Sequence, residues 1–204
     1  MNTSDYEDKL KELYRKYECP NYILDGPVTE DYWSVYDNKK VLWVLRETNG
    51  SFEENFHNDL RKLLLACADN PNPNESVYNR WKATYGLVVK VSYALLNNEW
   101  IENVDNIRSV LKKIAVINID KRPGGNRFSR KKLKEAQEKF GDIIDTQIDL
   151  LKPDIIILGN TFNYISDYIK RRGTIIDMPH PGQIRITHKK YYEELLAKKQ
   201  KLKI

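Results

Sequence analysis

Cysteine and histidine are scarce in this chain: two and three, respectively, in 204 residues. Cys19 and Cys67 stand far apart and in no CxxC pattern. That argues against a disulfide framework or a zinc site and makes the reducing cytoplasm the simplest compartment. No apolar run approaches the roughly 18 residues of a membrane span, so no membrane partner is expected. The opening stretch MNTSDYEDKLKELYRKY has no apolar core of the secretory kind. The GxxxxGKS/T order of a phosphate-binding loop is missing, and no internal repeat occurs. With 41% hydrophobic residues, the chain predicts one domain over 1–204, with an N-terminal helix and lead-in over 1–39 and a basic tail over 198–204.

Charge is present but uneven. The formal net charge is +5, yet residues 1–60 hold 13 acidic and 7 basic side chains, so this part carries −6 and the remainder +11. Basic residues gather at Lys121–Lys139, at Lys170–Arg172 and in KKQKLK near the end. An acidic part joined to a basic part points to a polyanion partner, most commonly nucleic acid. Solvated lysine-rich helix faces give the same count, so charge alone leaves both open.

Four apolar, β-branched runs read as buried strands: KVLWVLR (40–46), IAVINI (114–119), DIIILG (154–159) and TIIDM (174–178). Their near-continuous hydrophobicity predicts a parallel sheet covered on both faces. Helical patterns separate them. Ser4 and Glu7 form a capping box ahead of Tyr6, Leu10, Leu13 and Tyr17. Two further patterns, one through Phe56, Leu60, Leu63, Leu64 and Cys67 and one through Leu87, Val88, Val91 and Leu95, flank the linker DNPNPNES (69–76). Ser129 caps a helix through Leu133, Phe140, Ile144, Ile148 and Leu151. A short helix over Asn160–Arg172 ends at Gly173, and a last one covers Tyr191–Lys201. The fold class expected is α/β, a three-layer sandwich around a central four-stranded parallel sheet flanked by helices.

In such sheets ligands bind beyond the carboxyl ends of the strands. Polar groups and glycines collect there: RETNGS, NIDKRPGGNR, GNTFNY and PHPGQ follow the four runs in order. Glu47 can orient or deprotonate a water, with Asn49 placing it, or the pair can simply cap the next helix. The amide of Asn118 offers donors and an acceptor to a nucleobase edge, or ties down its own loop. KRPGGNR offers Lys121, Arg122 and Arg127 around two glycines, suited to phosphate or to a plain basic loop. Phe52 and Phe56 are candidates for stacking on a base. His180, between Pro179 and Pro181, is held extended on a stiff loop. That suits a fixed hydrogen-bond donor to an oxygen gaining negative charge, and equally a tight turn.

Taken in order, RETNG, NIDKRPGGNR and HPGQIR, with IIDTQIDLLKPDIIILGNTF between the last two, resemble the uracil-DNA glycosylase superfamily over about residues 40–196. The similarity is strongest to the branch with GEAPG-like and HPS-like motifs. The resemblance implies a monofunctional glycosylase that flips a uracil or related damaged or mismatched base out of DNA, needs no cofactor or metal, and acts as a monomer. By position, Glu47 falls on the acid that activates water, with Asn49 beside it. Asn118 falls on the amide that reads the pyrimidine, and His180 on the histidine that stabilises the departing base. Ile184 or Arg185 falls on the loop that wedges into the duplex. Arg46 stands where the family has glycine and is expected to meet DNA phosphate or enter the pocket. Asn49 replaces a proline, Gly182 replaces a serine, and the iron–sulfur cysteines of that branch are missing. Arg46 keeps a second reading open, a glycosylase-fold protein that binds DNA or a nucleobase without cleaving it.

Overall fold

The β-branched runs do form strands. In a computed structural model, which describes residues 1–19, 21–36, 39–46, 58–69, 76–123, 129–171 and 174–202 (for 76–83, the backbone alone), β2 is Val41–Leu45, β3 Ala115–Asn118, β4 Ile155–Gly159 and β5 Thr174–Met178. These four are parallel. A strand the sequence did not announce, β1 (Gly26–Pro27), pairs antiparallel with β3, Gly26 opposite Val116. The sheet is thus five-stranded and mixed, in the order β1-β3-β2-β4-β5, rather than four-stranded and all parallel. Two residues, one of them proline, carry no hydrophobic period, and proline is tolerated only at such an edge.

Helices cover both faces. Side chains alternate across each strand. Val41, Trp43, Leu45, Val116, Ile157 and Met178 pack on one side, with α2 (Leu60–Asp69), α3 (Ser76–Asn97) and α6 (His188–Lys201). Leu42, Val44, Ile117, Ile156 and Leu158 pack on the other, with α1 (Thr3–Lys16) and α4 (Arg130–Leu151). The two cysteines are buried and unpaired in opposite layers. Among the described residues no helix is long and apolar enough to cross a membrane.

Local sequence signals set some helix boundaries and not others. Ser129 caps α4, accepting from the Lys132 amide. The cap of α1 is instead Asn2, in a box with Asp5, so the helix begins two residues earlier than Ser4 and Glu7 predict. The helix expected over 160–172 divides. Asn160 takes a left-handed φ of 59°, a 3-10 turn covers Phe162–Tyr164, and Ser166 caps a new short helix, α5 (Asp167–Lys170).

One buried ion pair ties these pieces together. Lys121 Nζ lies 2.8 Å from Asp25 Oδ2 with both side chains at 0% exposure. Gln147 of α4 donates to Asp25 Oδ1 at 2.8 Å and to the Tyr6 hydroxyl of α1 at 2.7 Å. The Asn118 amide donates to Asp25 Oδ2 at 2.8 Å. Burial pulls the Lys121 pKa below the ordinary lysine range while Asp25 opposes it. Next to Asp25, Gly26 takes φ +128°, and a Cβ there would stand 2.5 Å from the Tyr6 ring. Removing one member of such a pair strands the other, at about 3–5 kcal/mol. Asp25→Ala is expected to lose that much in urea unfolding, and Asp25→Asn with Lys121→Met to recover part of it. A loss below about 1 kcal/mol contradicts this account.

Candidate functional site

Chain direction makes the carboxyl edge a switch point. β2 and β4 are neighbours, but the chain leaves β2 for β3 on one side and β4 for β5 on the other. A crevice opens at such a point in α/β sheets. Strand register sets a row of residues there, with Asn118 beside Leu45 and Gly159 beside Met178.

His180 leans over this row. Its backbone is extended (φ −61°, ψ 131°), as the following proline demands. The Gly182 N–H donates to His180 Nδ1 at 3.2 Å, which leaves the ring proton on Nε2, a donor. Tyr191 of α6 donates its hydroxyl to the Pro179 carbonyl at 2.9 Å and anchors the loop. Gly159 lets the loop approach: a Cβ there would lie 2.7 Å from Leu45 Cδ2, 3.2 Å from Pro181 Cδ and 3.6 Å from His180 Cδ2. Burial, and secondly the charge of Arg46, push the His180 pKa from 6.5 down to about 3. The imidazole is therefore neutral at physiological pH.

Asn118 closes the other end of the row. It is 1% exposed, and its side-chain Nδ2 has no hydrogen-bond partner among the described residues. A buried donor without an acceptor costs about 1–3 kcal/mol. Alternation turns Asn118 to the layer of Val116 and Leu45, the side from which His180 approaches Gly159. Two strand spacings separate Asn118 from Gly159, about 9–10 Å, with the apolar Leu45 side chain between them. Thr161, fully buried, donates to the Val44 carbonyl at 2.9 Å and fixes the chain leaving β4.

The other candidates divide. Arg46 is 4% exposed and receives the Asp120 amide on its carbonyl at 2.9 Å. Arg122 is bound by two hydrogen bonds of 2.8 Å to Asp120 and lies over the Phe140 ring. Lys121, expected at the surface for phosphate, is instead enclosed with Asp25. In sequence it reads like any loop lysine, because its partner lies 96 positions away. Ile184, expected to wedge into DNA, packs partly buried against the α3 and α6 core, whereas Arg185 is exposed. Glu47, Asn49, Phe52, Phe56 and Arg127 lie outside the described residues. Asp25 carries no sequence signal of its own, whereas Gly159 and Thr161 fall in the strand-end segment GNTFNY without a particular role read from it. Only Gly159, ending an apolar strand, carried a usable signal.

Two grooves formed by described residues lie away from this edge. One of about 470 Å³ is lined by Val35, Tyr36, Lys39, Leu96 and Lys113, and one of about 530 Å³ by Lys9, Leu13, Lys16 and Leu150. By fold and site this is an α/β protein whose polar groups converge at the switch point of a mostly parallel sheet. No protein-family model matches the chain, and no curated protein matches it.

Two outcomes follow for His180. In an NMR titration its ring is expected to stay neutral to below about pH 5. An inflection near 6.5 assigned to it contradicts a half-buried ring held neutral beside Arg46. Because its folded pKa is depressed, its contribution to stability is full above pH 6.5 and is lost progressively as pH falls toward 3. In acid unfolding, His180→Asn is therefore expected to show a shallower loss over that window than the parent chain.

Proposed function

We propose that the protein is a monofunctional DNA glycosylase of uracil-DNA glycosylase type, hydrolysing the N-glycosidic bond of a flipped-out uracil or related damaged or mismatched base. The observation that carries this reading is the pair of polar side chains brought to one side of the strand ends. His180 approaches Gly159. The buried amide of Asn118, unpartnered among the described residues, ends β3, two strand spacings (about 9–10 Å) from Gly159 along the sheet with Leu45 between. A six-membered ring with a hydrogen bond of about 2.9 Å at either edge fills such a span. Motif order along the chain supports the same reading.

The chemistry assigns a role to each group. The bond from C1′ to the base nitrogen breaks, and its electron pair leaves with the base as an anion. His180, neutral and fixed, donates to the base oxygen on which that charge collects. A donor oriented before the reaction stabilises the anion without reorganising. A cationic histidine would need a proton that burial beside Arg46 disfavours. Asn118 reads the opposite edge, and the Asp25 carboxylate holds its backbone. Water adds to C1′ and loses its proton to Glu47, by the motif position of that residue. Extruding the nucleotide costs a few kcal/mol, least at a mismatch or in a single strand.

Arg46 favours a second reading. A buried arginine, 4% exposed and close enough to His180 to lower its pKa, stands where the related motif has glycine, which suits a protein that holds DNA or a base without cleaving it.

One assay separates the two. Single-stranded and duplex DNA carrying uracil, G·U, G·T, or oxidised and deaminated bases is incubated with the chain, and released base is detected by mass spectrometry. His180→Ala is expected to lower release about 10²–10³-fold while DNA affinity changes less than about threefold, and Glu47→Gln to abolish it. Equal loss of release and affinity makes His180 structural. No release from any substrate, with DNA binding retained, favours the binder.

A further inference from the structure

The helix that anchors the His180 loop is itself fastened at its first turns. Along α6, Tyr191 donates to the Pro179 carbonyl at 2.9 Å and Lys198 donates to the Asp177 carbonyl. Residues seven apart share a helix face, and carbonyls two apart share a strand edge, so α6 lies along β5 and grips it twice. The second grip is on the residue just before His180. The seat of α6 therefore sets where the imidazole stands.

A polar strap, residues 98–103, follows α3 and meets α6 at its start. Glu102 accepts from Lys90 Nζ of α3 at 2.7 Å and from the Trp100 indole at 2.8 Å. Trp100 stacks on Tyr192 of α6, with ring centroids 5.2 Å apart and planes at 21°. The Tyr192 hydroxyl donates to the Ala94 carbonyl of α3 at 3.4 Å. One carboxylate thus ties α3 to the ring that holds α6.

His188, the first residue of α6, closes this contact. The charged groups that face its ring are Lys90 from α3 and Glu102 from the strap, while Glu99 of the strap accepts from Tyr93. The ring is half-buried, and its Nδ1 is enclosed with no hydrogen-bond partner among the described residues. A neutral imidazole tolerates that, because its proton sits on Nε2 and Nδ1 keeps a lone pair. A second proton goes to Nδ1, where the new N–H finds no acceptor. The cation also meets Lys90, and both oxygens of Glu102 already serve Lys90 and Trp100. Burial first, and Lys90 second, accordingly hold the His188 pKa below the ordinary 6.5, against the pull of Glu102.

We propose that His188, packed against the Lys90–Glu102–Trp100 strap, is an acid-sensitive latch: a proton on its ring releases the first turn of α6 from α3, and with it the fixed placement of His180. Two states suffice, α6 seated or its first turn released to water, where His188 protonates freely. Because the seated pKa is depressed, the seated state is fully favoured above pH 6.5 and loses ground as pH falls below it. The latch concerns the placement of His180 rather than the bond that is cut, so it stands whether or not the chain releases a base.

The test follows the histidine ring resonances of the parent, His188→Gln and His180→Asn chains from about pH 8 to 5. Amide exchange over 98–103 and 188–192, corrected for intrinsic rates, is measured alongside. His188 is expected to titrate below 6.5. Protection over both segments is expected to fall about three- to tenfold between about pH 7.5 and 5.5 in the parent and in His180→Asn, and less than about 1.5-fold in His188→Gln. The His180 resonance of the parent is expected to show a second inflection at the His188 pKa, which His188→Gln lacks. Equal pH dependence in His188→Gln overturns the latch, as does a His180 signal that ignores the His188 titration. Should His188→Gln fail to fold, the parent still decides, since an inflection of His188 at or above 6.5 overturns the latch by itself.

Discussion

An ionised carboxylate and an ammonium enclosed in protein each lose several kcal/mol of hydration, so both persist only where hydrogen bonds surround them. Asp25 meets that condition with donors from three directions along the fold. Lys121 comes from the segment after β3, Gln147 from α4, and the Asn118 amide from the strand end, while Tyr6 of α1 joins through Gln147. Edge strand, central sheet and both helices of one layer therefore share a single polar junction. Its cost in desolvation is offset by the definition it gives. With Asp25 in place, β3 can end in only one register, and Asn118 faces only one layer.

The strand-end site inherits its geometry from that register. Parallel strands turn alternate side chains to opposite layers, so Asn118, Leu45 and Gly159 form one row. Gly159 supplies no side chain, and the space it leaves is where Pro181 and His180 come down. The imidazole is set from three sides: proline fixes its backbone, Gly182 fixes its tautomer, and burial with Arg46 keeps it neutral. Each constraint is modest alone. Together they hold one donor in one state.

The rule that enclosed charge persists only with partners also governs the contact of α3 with α6. Glu102 holds Lys90 and the Trp100 indole, and Trp100 in turn stacks on Tyr192 of α6. His188 fits beside them as a neutral ring, because its enclosed Nδ1 has no acceptor among the described residues. A buried polar group is stable in the state for which partners exist and is resisted in the other. Since α6 also holds the carbonyl ahead of His180, the charge state of one histidine bears on the placement of the other.

Much of this was legible in the chain itself. The β-branched runs determined four strands, since continuous apolar stretches are stable only with both faces covered. Ser129 determined the start of α4, and Pro181 the extended backbone of His180, because capping and proline sterics act between neighbours in sequence. Tertiary structure alone decided that Lys121 is a core residue, that Gly26–Pro27 is a strand, that Ile184 packs inward and that Nε2 of His180 carries the proton. The first three depend on partners brought together from distant positions, as with Asp25 and Lys121, 96 residues apart. The proton depends on how the loop turns back on its own ring. Periodicity reports which face of an element is apolar, but strand register and loop packing decide what that face meets.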